Sequence, residues 1–362
     1  MSRSKQPIYI IAEVGVNHNG SMEMAKRLID AAKTAGVDAV KFQSFKADKI
    51  VSRKAPKAEY QLSTTDSSES QYDMLRKLEL SEEDHRVLFD YCQDAGVEFL
   101  STPFDLDSLN WLCDQLNLSS IKISSGDLTN ALLLLATARK RTKVILSTGM
   151  STLGEVEEAL GVLAYGYLNP EKEPQGEADF LEAYRSAEGQ NLLKKHVVLL
   201  HCTTEYPAPL DEVNLRAMEV LTRAFGLPVG YSDHTEGIVI PIAAAAQSAV
   251  AIEKHFTLDR TLPGPDHKAS LEPDELIEMV KGIRQVEAAL GSGLKTPSNS
   301  ESKNAAVARK SLVAARTIEQ GDRFTADNLD VKRPGTGIKP IKYWRMLGQT
   351  ASRAYEKDDV IE

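Results

Sequence analysis

Short runs of apolar residues alternate with longer segments of helical periodicity along most of the chain. The apolar runs are nearly continuous, which is typical of parallel strands that are buried on both faces. Most of them precede a segment whose apolar residues recur every three or four positions, as in an amphipathic helix. The pattern predicts strands at 9–15, 39–44, 98–103, 120–125, 143–149, 196–203, 228–235 and 249–257.

Eight strand–helix units in the first 291 residues predict a (β/α)8 TIM barrel of the α/β class at 1–291. Two insertions interrupt the minimal repeat. The insertion at 45–80 is a long polar loop, and loops of that length are usually functional. The insertion at 168–194 is polar and acidic, and it predicts a surface helix and loop.

A second, smaller unit follows the barrel. The chain becomes rich in Gly, Ser, Pro and Lys after residue 291, which is typical of a linker, and the linker is placed at 292–305. Residues 306–362 are too few for a second enzyme. Their short apolar runs and Gly-containing turns predict a compact domain of short β segments.

The composition is typical of a globular enzyme, with 42% hydrophobic and 26% charged residues. No segment has the apolar length that a bilayer requires, and the N-terminal residues lack the apolar core of a signal peptide. The three cysteines form no CxxC pair, so no disulfide framework is expected. These features predict a cytoplasmic protein that has no membrane partner.

The net charge of −9 gives no electrostatic support for nucleic-acid binding. The charge is unevenly distributed. Residues 306–362 contain 11 Lys and Arg against 8 Asp and Glu, a net charge of +3, whereas residues 1–305 contain 32 against 44, a net charge of −12. A slightly basic small domain next to an acidic large one is compatible with a lid over an anionic substrate.

Polar residues cluster at the carboxyl ends of the predicted strands, which meet on one face of a barrel. An apolar strand has little reason to carry a charged residue without a partner or a function. The candidates at these ends are Glu13, Lys41, Gln43, Thr102, Lys122, Ser125, Asp127, Ser147, Thr204, Tyr206, Ser232, Glu253 and, after the last strand, Asp266.

Two of these positions, Lys41 and Lys122, supply positive charges that suit an oxyanion. Thr102, Ser125 and Ser147 supply short hydroxyl donors beside small-residue turns, and the set fits a phosphate group and a carboxylate. The alternative is that a lysine pairs with a core glutamate. The glycine turns do not have the Walker or Rossmann spacing, so no nucleotide site is indicated.

Two histidines, His234 and His255, follow neighbouring predicted strands near the same rim. Imidazole suits Mn²⁺, Fe²⁺, Co²⁺ or Zn²⁺. With Glu253 and Asp233 nearby, the pair predicts an open metal site of the catalytic kind. The alternative is that each is an ordinary hydrogen-bonded histidine. Asp266, in the turn after strand eight, has two interpretations of equal weight: a ligand of sugar hydroxyls, or an ordinary exposed turn residue.

The sequence resembles the sialic acid synthases over nearly the whole chain. The segments that carry the resemblance are AEVGVNHNG at 12–20, VKFQ at 40–43, LSTGM at 146–150, YSDHT at 231–235, EKHFT at 253–257, GPDH at 264–267 and VKRPG at 331–335. The resemblance implies a TIM barrel followed by a small antifreeze-like (SAF) domain at 306–362. It also implies a domain-swapped homodimer in which the small domain covers the barrel of the partner.

The activity implied by the resemblance joins phosphoenolpyruvate to an N-acetylated hexosamine and releases phosphate. The cofactor implied is a divalent metal ion, Mn²⁺ in the first place and Mg²⁺ or Co²⁺ otherwise, held by His234 and His255. Glu13 and Glu253 match acidic residues near the reacting centre. The phosphoenolpyruvate contacts match Lys41, Thr102, Lys122, Ser125, Ser147 and Ser232. The sugar contacts match Gln43, Tyr206, Asp266 and Arg333, the last from the partner subunit.

The chain departs from the family pattern at the sugar end. Asp127 replaces the usual Glu, Thr336 replaces the usual Asn, and Thr204 stands where some members have Asn. The first prediction is N-acetylneuraminate synthase, which uses N-acetylmannosamine. The alternative is legionaminic acid synthase, which uses a 2,4-diacetamido-2,4,6-trideoxy-mannose. Two further hypotheses are a metal aldolase or related phosphoenolpyruvate-condensing enzyme, and a carbohydrate- or ice-binding protein.

Overall fold

The computed structural model describes residues 7–53, 55–57, 62, 65–66 and 69–362. The chain divides into two compact units, Met1–Gly291 and Ser292–Glu362. The insertion predicted at 45–80 is described only in part, because positions 54, 58–61, 63–64 and 67–68 lie outside the described residues.

The first unit contains a sheet of parallel strands. These are β1 (Tyr9–Gly15), β2 (Ala39–Ser44), β3 (Glu98–Pro103), β4 (Ser120–Ile123), β5 (Lys143–Ser147), β6 (Val197–Cys202), β7 (Val229–Asp233) and β8 (Ala251–His255). Their order in the sheet is β3-β2-β1-β8-β7-β6-β5-β4. The end strands β3 and β4 pack against each other, so the sheet curls into a nearly closed barrel. The predicted TIM-like barrel is confirmed.

Helices follow most strands and pack against the sheet through a large apolar core. The described helices of this unit are Met22–Ala35, Ala47–Ile50, Gln71–Leu78, Glu82–Ala95, Leu106–Asp114, Ala131–Arg139, Leu153–Leu168, Glu177–Arg185, Ala187–His196, Ala217–Phe225, Val239–Ala246 and Pro273–Leu290. Side-chain caps define several helix starts. At Ser81 the hydroxyl accepts from Asp84 N and the Asp84 carboxylate accepts from Ser81 N, which is a capping box. Within the described residues, no helix is long and apolar enough to span a membrane.

The interior of the barrel is arranged in layers. Ile11, Ala39, Leu100, Ile145 and Ala251 belong to one buried apolar cluster. Side chains two positions apart on a strand point to the same side. Each of these residues therefore supports the polar residue two positions further on, at the cavity end of the same strand. Those polar residues are Glu13, Lys41, Thr102, Ser147 and Glu253.

Several predicted segments differ in detail from the structure; the strands predicted to end at 149, 235 and 257 end at Ser147, Asp233 and His255. The fourth strand was predicted to extend to residue 125, but it ends at Ile123, and Ser125–Asp127 forms a 3-10 turn. The segment at 168–194 is mostly helical, with Glu177–Arg185 and Ala187–His196 packed against the preceding helix.

The second unit is built around one short antiparallel pair, β9 (Ser311–Ala314) with β10 (Leu329–Lys332). Isolated bridges such as Ile318 with Tyr355 complete it around a small apolar core. The helical segments are Asn299–Ala308, Pro340–Lys342 and Tyr343–Met346. The first of these helices occupies the second half of the predicted linker.

Candidate active site

A cavity of about 610 Å³ opens at the carboxyl ends of the barrel strands. Enzymes with this fold carry their chemistry at that end. The cavity is lined by these barrel residues that the sequence singled out: Glu13, Lys41, Gln43, Thr102, Lys122, Ser125, Asp127, Ser147, Thr204, Tyr206, Ser232, His234, Glu253, His255 and Asp266. Another cavity, of about 1060 Å³, lies at the opposite mouth, and none of these residues lines it.

Four buried charged side chains form the floor of the cavity. Lys41 Nζ lies 2.5 Å from Glu13 Oε2 and 3.5 Å from Glu253 Oε2. Lys122 Nζ lies 3.6 Å from Glu253 Oε1. The pairing of lysine with glutamate, which the sequence left open, is therefore present. The two positive and two negative charges of these residues cancel. The four residues therefore do not neutralise the negative charge of a bound anion.

Burial and neighbouring charges act in opposite directions on these four groups. Burial raises the pKa of Glu13 and outweighs the opposing effect of Lys41. Burial acts in the same direction on Glu253, but Lys122 and Lys41 outweigh it and lower the pKa of Glu253 to about 2. Glu253 is therefore the fixed negative charge of the group, whereas Glu13 is the carboxyl group better suited to exchange a proton.

The hydroxyl groups around the lysines differ in what they contact. Lys41 Nζ donates to Thr102 Oγ1 at 3.2 Å. Ser232 Oγ donates to Glu253 Oε1 at 2.7 Å, so this hydroxyl orients the carboxylate in the protein alone. Ser147 Oγ is buried and has no hydrogen-bond partner among the described residues. Because a buried hydroxyl without a partner is costly, Ser147 is suited to donate to a bound anion.

Gly149 follows β5 and forms part of a close contact at the cavity wall. A Cβ atom here would lie 2.4 Å from Thr204 Oγ1, 2.8 Å from Ser125 Oγ and 2.9 Å from Cys202 Sγ. Gly149 N donates to Ser125 Oγ at 3.0 Å, and Ser125 Oγ lies 3.1 Å from Cys202 Sγ. Only glycine allows the backbone to approach these three side chains so closely.

The two histidines lie on neighbouring strand ends with ring centroids 5.4 Å apart. His234 Nδ1 lies 2.6 Å from Thr203 O, and because a carbonyl only accepts, Nδ1 carries the proton and Nε2 has the free lone pair. Burial lowers the pKa of His234 to about 4. Burial, and then His234, lower the pKa of His255 well below its usual value. Both rings are therefore neutral imidazoles near pH 7.

This donor set fits a divalent metal ion with two protein ligands. His255 Nδ1 is buried without a hydrogen-bond partner among the described residues, 3.9 Å from Asp266 Oδ2. In the described part of the chain, no group of three or more His, Cys, Asp or Glu side chains is arranged to hold a metal. Two imidazoles with the remaining positions open to water or substrate oxygens correspond to a catalytic rather than a structural site.

Tyr206 closes the cavity over the histidines. Its ring lies 4.2 Å from the His234 ring at 33°, and it meets the His255 ring edge-on at 5.5 Å. Burial, and then Glu13, raise the pKa of Asp266 to about 7. A carboxyl group with such a pKa can donate as well as accept a hydrogen bond near neutral pH.

Gln43 and Asp127 lie on other parts of the rim. Gln43 Nε2 donates to Glu13 Oε1 at 3.3 Å. Asp127 accepts from Ser124 Oγ at 2.7 Å and from Asn130 Nδ2 at 3.1 Å, so both carboxylate oxygens are engaged. The turn that follows the shortened fourth strand therefore holds Asp127 in place. The hydroxyl of Thr204 is buried and has no partner among the described residues.

Arg333 lies in the second unit, immediately after β10, and its side chain is exposed. The resemblance implies a role for Arg333 at the barrel of a partner subunit, and this role stays a prediction.

The sequence alone did not single out every residue that lines the cavity. Cys202 is a buried free thiol, and its sulfur lies in the cavity wall 3.1 Å from Ser125 Oγ. Ser124 and Asn130 line the cavity and hold Asp127. A signal was present for Cys202, because it is the last residue of β6 and so lies at the functional end of the barrel.

The barrel and its cavity of buried lysines, carboxylates and imidazoles at the carboxyl ends of the strands are those of an enzyme. The family model described as the NeuB family matches residues 28–295, and the SAF domain model matches residues 309–362. The chain therefore belongs to the NeuB family, and the predicted family, its C-terminal SAF domain and its enzyme class are confirmed.

Similar proteins are found among characterised and solved members. The chain is 49% identical over 352 residues, 97% of its length and 98% of the relative, to N,N'-diacetyllegionaminic acid synthase of Campylobacter jejuni. It is 44% identical over 349 residues, 96% of its length and 92% of the relative, to the synthase of the same name from Legionella pneumophila. A crystal structure of N-acetylneuraminic acid synthetase from Leptospira borgpetersenii, in complex with citrate, superposes with a TM-score of 0.66 at 32% identity, covering 83% of this chain and 90% of that one.

Proposed function

We propose that the protein is an N,N'-diacetyllegionaminic acid synthase, which condenses phosphoenolpyruvate with a 2,4-diacetamido-2,4,6-trideoxy-mannose. The observation that carries this proposal is the higher identity to the two legionaminic acid synthases, 49% and 44%, than to the N-acetylneuraminic acid synthetase, 32%. The alternative considered from sequence is therefore preferred to the first prediction, N-acetylneuraminate synthase.

The rim of the cavity supports this choice of acceptor. Asp127 stands where sialic acid synthases usually have a glutamate, so its carboxylate reaches one methylene group less far. Ser124 and Asn130 donate hydrogen bonds to its two oxygens and so restrict rotation of the carboxylate. A shorter, restrained carboxylate leaves space for a second acetamido group, which is bulkier than the hydroxyl group it replaces on the sugar.

The floor of the cavity suits phosphoenolpyruvate. Lys41, Lys122 and the free Ser147 hydroxyl bind its phosphate and carboxylate oxygens, and Thr102 donates once Lys41 turns to the ligand. Lys122 and Ser147 are held by burial before the substrate arrives, which is the arrangement that stabilises developing charge, whereas Lys41 exchanges a protein partner for the ligand. Ser125, held by Gly149 N, supplies a further hydroxyl at the same end.

The reaction forms a carbon–carbon bond and releases phosphate. C3 of phosphoenolpyruvate attacks the aldehyde carbon of the open-chain sugar, whose oxygen takes up a proton as it becomes a hydroxyl group. The positive charge that develops at C2 is quenched by water. The water loses a proton to a carboxylate, Glu13 or Glu253, and the tetrahedral carbon expels phosphate by cleavage of its C–O bond. The raised pKa of Glu13 favours it as the proton acceptor, with Glu253 as the fixed charge facing C2.

His234 and His255 would hold the divalent ion, with Mn²⁺ as the first choice and Mg²⁺ or Co²⁺ as alternatives. When bound, such an ion supplies Lewis acidity toward the aldehyde oxygen. Tyr206 contacts both rings and Asp266 lies beside His255, and in this proposal both residues bind the sugar.

The active form is proposed to be a cytoplasmic, domain-swapped homodimer. In this arrangement the partner's Arg333 reaches the acceptor sugar. The net positive charge of residues 306–362 suits such a lid, because the neutral floor of each cavity leaves the substrate's own negative charge uncompensated.

A parallel assay tests the acceptor. Purified protein with Mn²⁺ and phosphoenolpyruvate is supplied with either the diacetamido sugar or N-acetylmannosamine, and phosphate release and product mass are measured. We expect kcat/KM to be at least about tenfold higher for the diacetamido sugar, because a site shaped for one polar group discriminates against its analogue. A higher value for N-acetylmannosamine would identify an N-acetylneuraminate synthase instead. The Asp127→Glu variant should move the ratio toward N-acetylmannosamine.

A further inference from the structure

A fully buried ion pair connects the two strands that end in the histidines. Lys254 Nζ lies 2.5 Å from Asp233 Oδ2, and neither side chain has any solvent exposure. Asp233 and Lys254 are direct partners in the pairing of β7 with β8. His234 and His255 line the cavity and are their immediate neighbours in sequence. Because side chains alternate along a strand, the ion pair lies on the opposite, outer face of the sheet.

The same two charged groups also hold the backbone around His234. Asp233 Oδ1 accepts from Tyr231 Oη at 3.0 Å, from Thr235 N at 3.1 Å and from Thr235 Oγ1 at 2.9 Å. Lys254 Nζ donates to Thr235 O as well. Thr235, the residue after His234, is therefore bound to the carboxylate of Asp233, the residue before it. That carboxylate is in turn bound to Lys254, the residue before His255.

Stability alone does not explain this arrangement. Transferring two ions from water to the protein interior is costly. Proteins in which well-packed apolar residues replace a buried ion pair are often equally stable or more stable. A buried ion pair with satisfied hydrogen bonds does supply geometry, because it connects two backbone positions at one defined separation. Here the positions connected are those that precede the two imidazoles, whose ring centroids lie 5.4 Å apart.

We propose that Asp233 and Lys254 are positioning residues that set the spacing of His234 and His255 for a divalent cation; this rests on the metal site in the proposed function. Asp233 was grouped with the metal site in the sequence analysis, but its carboxylate faces away from the cavity and acts through the histidines. Lys254 had no role assigned to it from sequence. The pair holds the ends of β7 and β8 in register on the outer face, so that the two rings present their lone pairs to the same point on the inner face.

The test separates geometry from stability by removing the two charges together. The double variant Asp233→Asn, Lys254→Met keeps hydrogen-bonding groups for Tyr231 and Thr235 but loses the cross-strand link. Removing both charges leaves no buried ion unpaired, so we expect its Tm to stay near that of the wild type. The single variant Lys254→Met leaves the Asp233 carboxylate unpaired, so its Tm should fall clearly.

The main readout is the Kd for Mn²⁺, measured by calorimetry without substrates. We expect about a tenfold weaker Kd in the double variant, the size of effect that loss of a supporting residue usually has on a metal site. The control variant is Arg284→Met, which breaks the ion pair with Asp38 beside the first residues of β1. It should lower Tm and leave the Kd for Mn²⁺ unchanged.

A double variant that binds Mn²⁺ as tightly as the wild type would overturn the proposal, and so would a wild-type protein that binds no Mn²⁺. An equal loss of Mn²⁺ affinity in Arg284→Met and in the double variant would also count against the proposal. The loss of affinity would then result from lower stability in general and not from the ion pair. The acceptor assay is independent of this test. If the protein prefers N-acetylmannosamine, the acceptor proposal fails while the dependence of the Mn²⁺ Kd on the ion pair is unaffected.

Discussion

Lys41 Nζ lies 2.5 Å from Glu13 Oε2 in the floor of the barrel cavity, so a lysine suited to bind an anion already has an anionic partner. Phosphoenolpyruvate therefore competes with a carboxylate of the protein for this lysine. The competition limits affinity, and it couples substrate binding to the charge state of Glu13. Burial raises the pKa of Glu13, which suits this carboxylate to take up a proton later, when water attacks C2.

The Glu13→Gln variant tests this competition. Removing the carboxylate charge gives the buried group of four a net positive charge, so we expect the Kd for phosphoenolpyruvate to fall by about three- to tenfold. We expect kcat to fall by about a hundredfold or more, because the group proposed to accept the proton of water is lost. Calorimetry and steady-state kinetics measure the two quantities separately.

The matched control is Glu98→Gln at the opposite mouth of the barrel, where the side chain is exposed. It should change neither quantity. Weaker phosphoenolpyruvate binding in Glu13→Gln would contradict the competition.

Ser147→Ala removes a buried hydroxyl that has no partner among the described residues. A hydrogen bond to a charged group contributes about 1.5–3 kcal/mol, so we expect the Kd for phosphoenolpyruvate to rise by about ten- to a hundredfold. The Tm should not fall, since no hydrogen bond in the protein itself is lost. Thermal unfolding with and without phosphoenolpyruvate shows both effects.

Thr137→Ala serves as the control for Ser147→Ala. Its hydroxyl is buried in a helix and donates to Leu133 O at 2.7 Å, so its removal should cost about 1 kcal/mol of stability without affecting phosphoenolpyruvate binding. An unchanged Kd for phosphoenolpyruvate in Ser147→Ala would show that this hydroxyl does not contact the substrate.

Metal removal and substitution of either histidine should give the same result. We expect chelation to abolish turnover and added Mn²⁺ to restore it in the wild type. His234→Ala and His255→Ala should stay folded but remain inactive at any Mn²⁺ concentration tested, because one of two protein ligands is missing. His196→Ala is the control, since this partly exposed ring stacks on Tyr167 away from the cavity. Wild-type activity after complete metal removal would reject the metal proposal.

Gly149→Ala should disrupt the cavity wall. The added Cβ would lie 2.4 Å from Thr204 Oγ1 and 2.8 Å from Ser125 Oγ, so these side chains have to move. We expect kcat/KM to fall by about tenfold or more, because sub-ångström positioning of donors matters to catalysis. Gly176→Ala is the matched control, since an added Cβ there meets nothing within 4 Å. Equal activity of the two variants would contradict the role given to this contact.

Arg333→Ala should weaken binding of the acceptor sugar more than binding of phosphoenolpyruvate. Arg345→Ala, another exposed arginine of the second unit, is the control and should behave as the wild type. If the lid comes from the partner subunit, mixing inactive Lys41→Met with Arg333→Ala subunits should restore activity, because one cavity of each mixed dimer then has both residues intact. No restoration, with mixed dimers shown to form, would argue against the swapped arrangement.

The chain by itself determined the barrel and the end at which the polar residues gather. Buried parallel strands need continuous apolar runs, and parallel strands in a barrel place all their carboxyl ends on one face. Residues such as Lys41 and Glu253 are conspicuous there because an apolar strand rarely carries an unpartnered charge. These are local signals of periodicity and composition, so they can be recognised without knowing which strands are neighbours.

Only the tertiary structure decided which of these groups pair with one another. Ser232 donates to Glu253, Asp233 faces outward to Lys254, and Ser147 is left without a partner in the described chain. These relationships join residues that are far apart in sequence or lie on opposite faces of one strand, and they depend on the register between strands and on side-chain rotamers. Distance sets the strength of an electrostatic or hydrogen-bonding interaction, and distances between strands exist only once the barrel has closed.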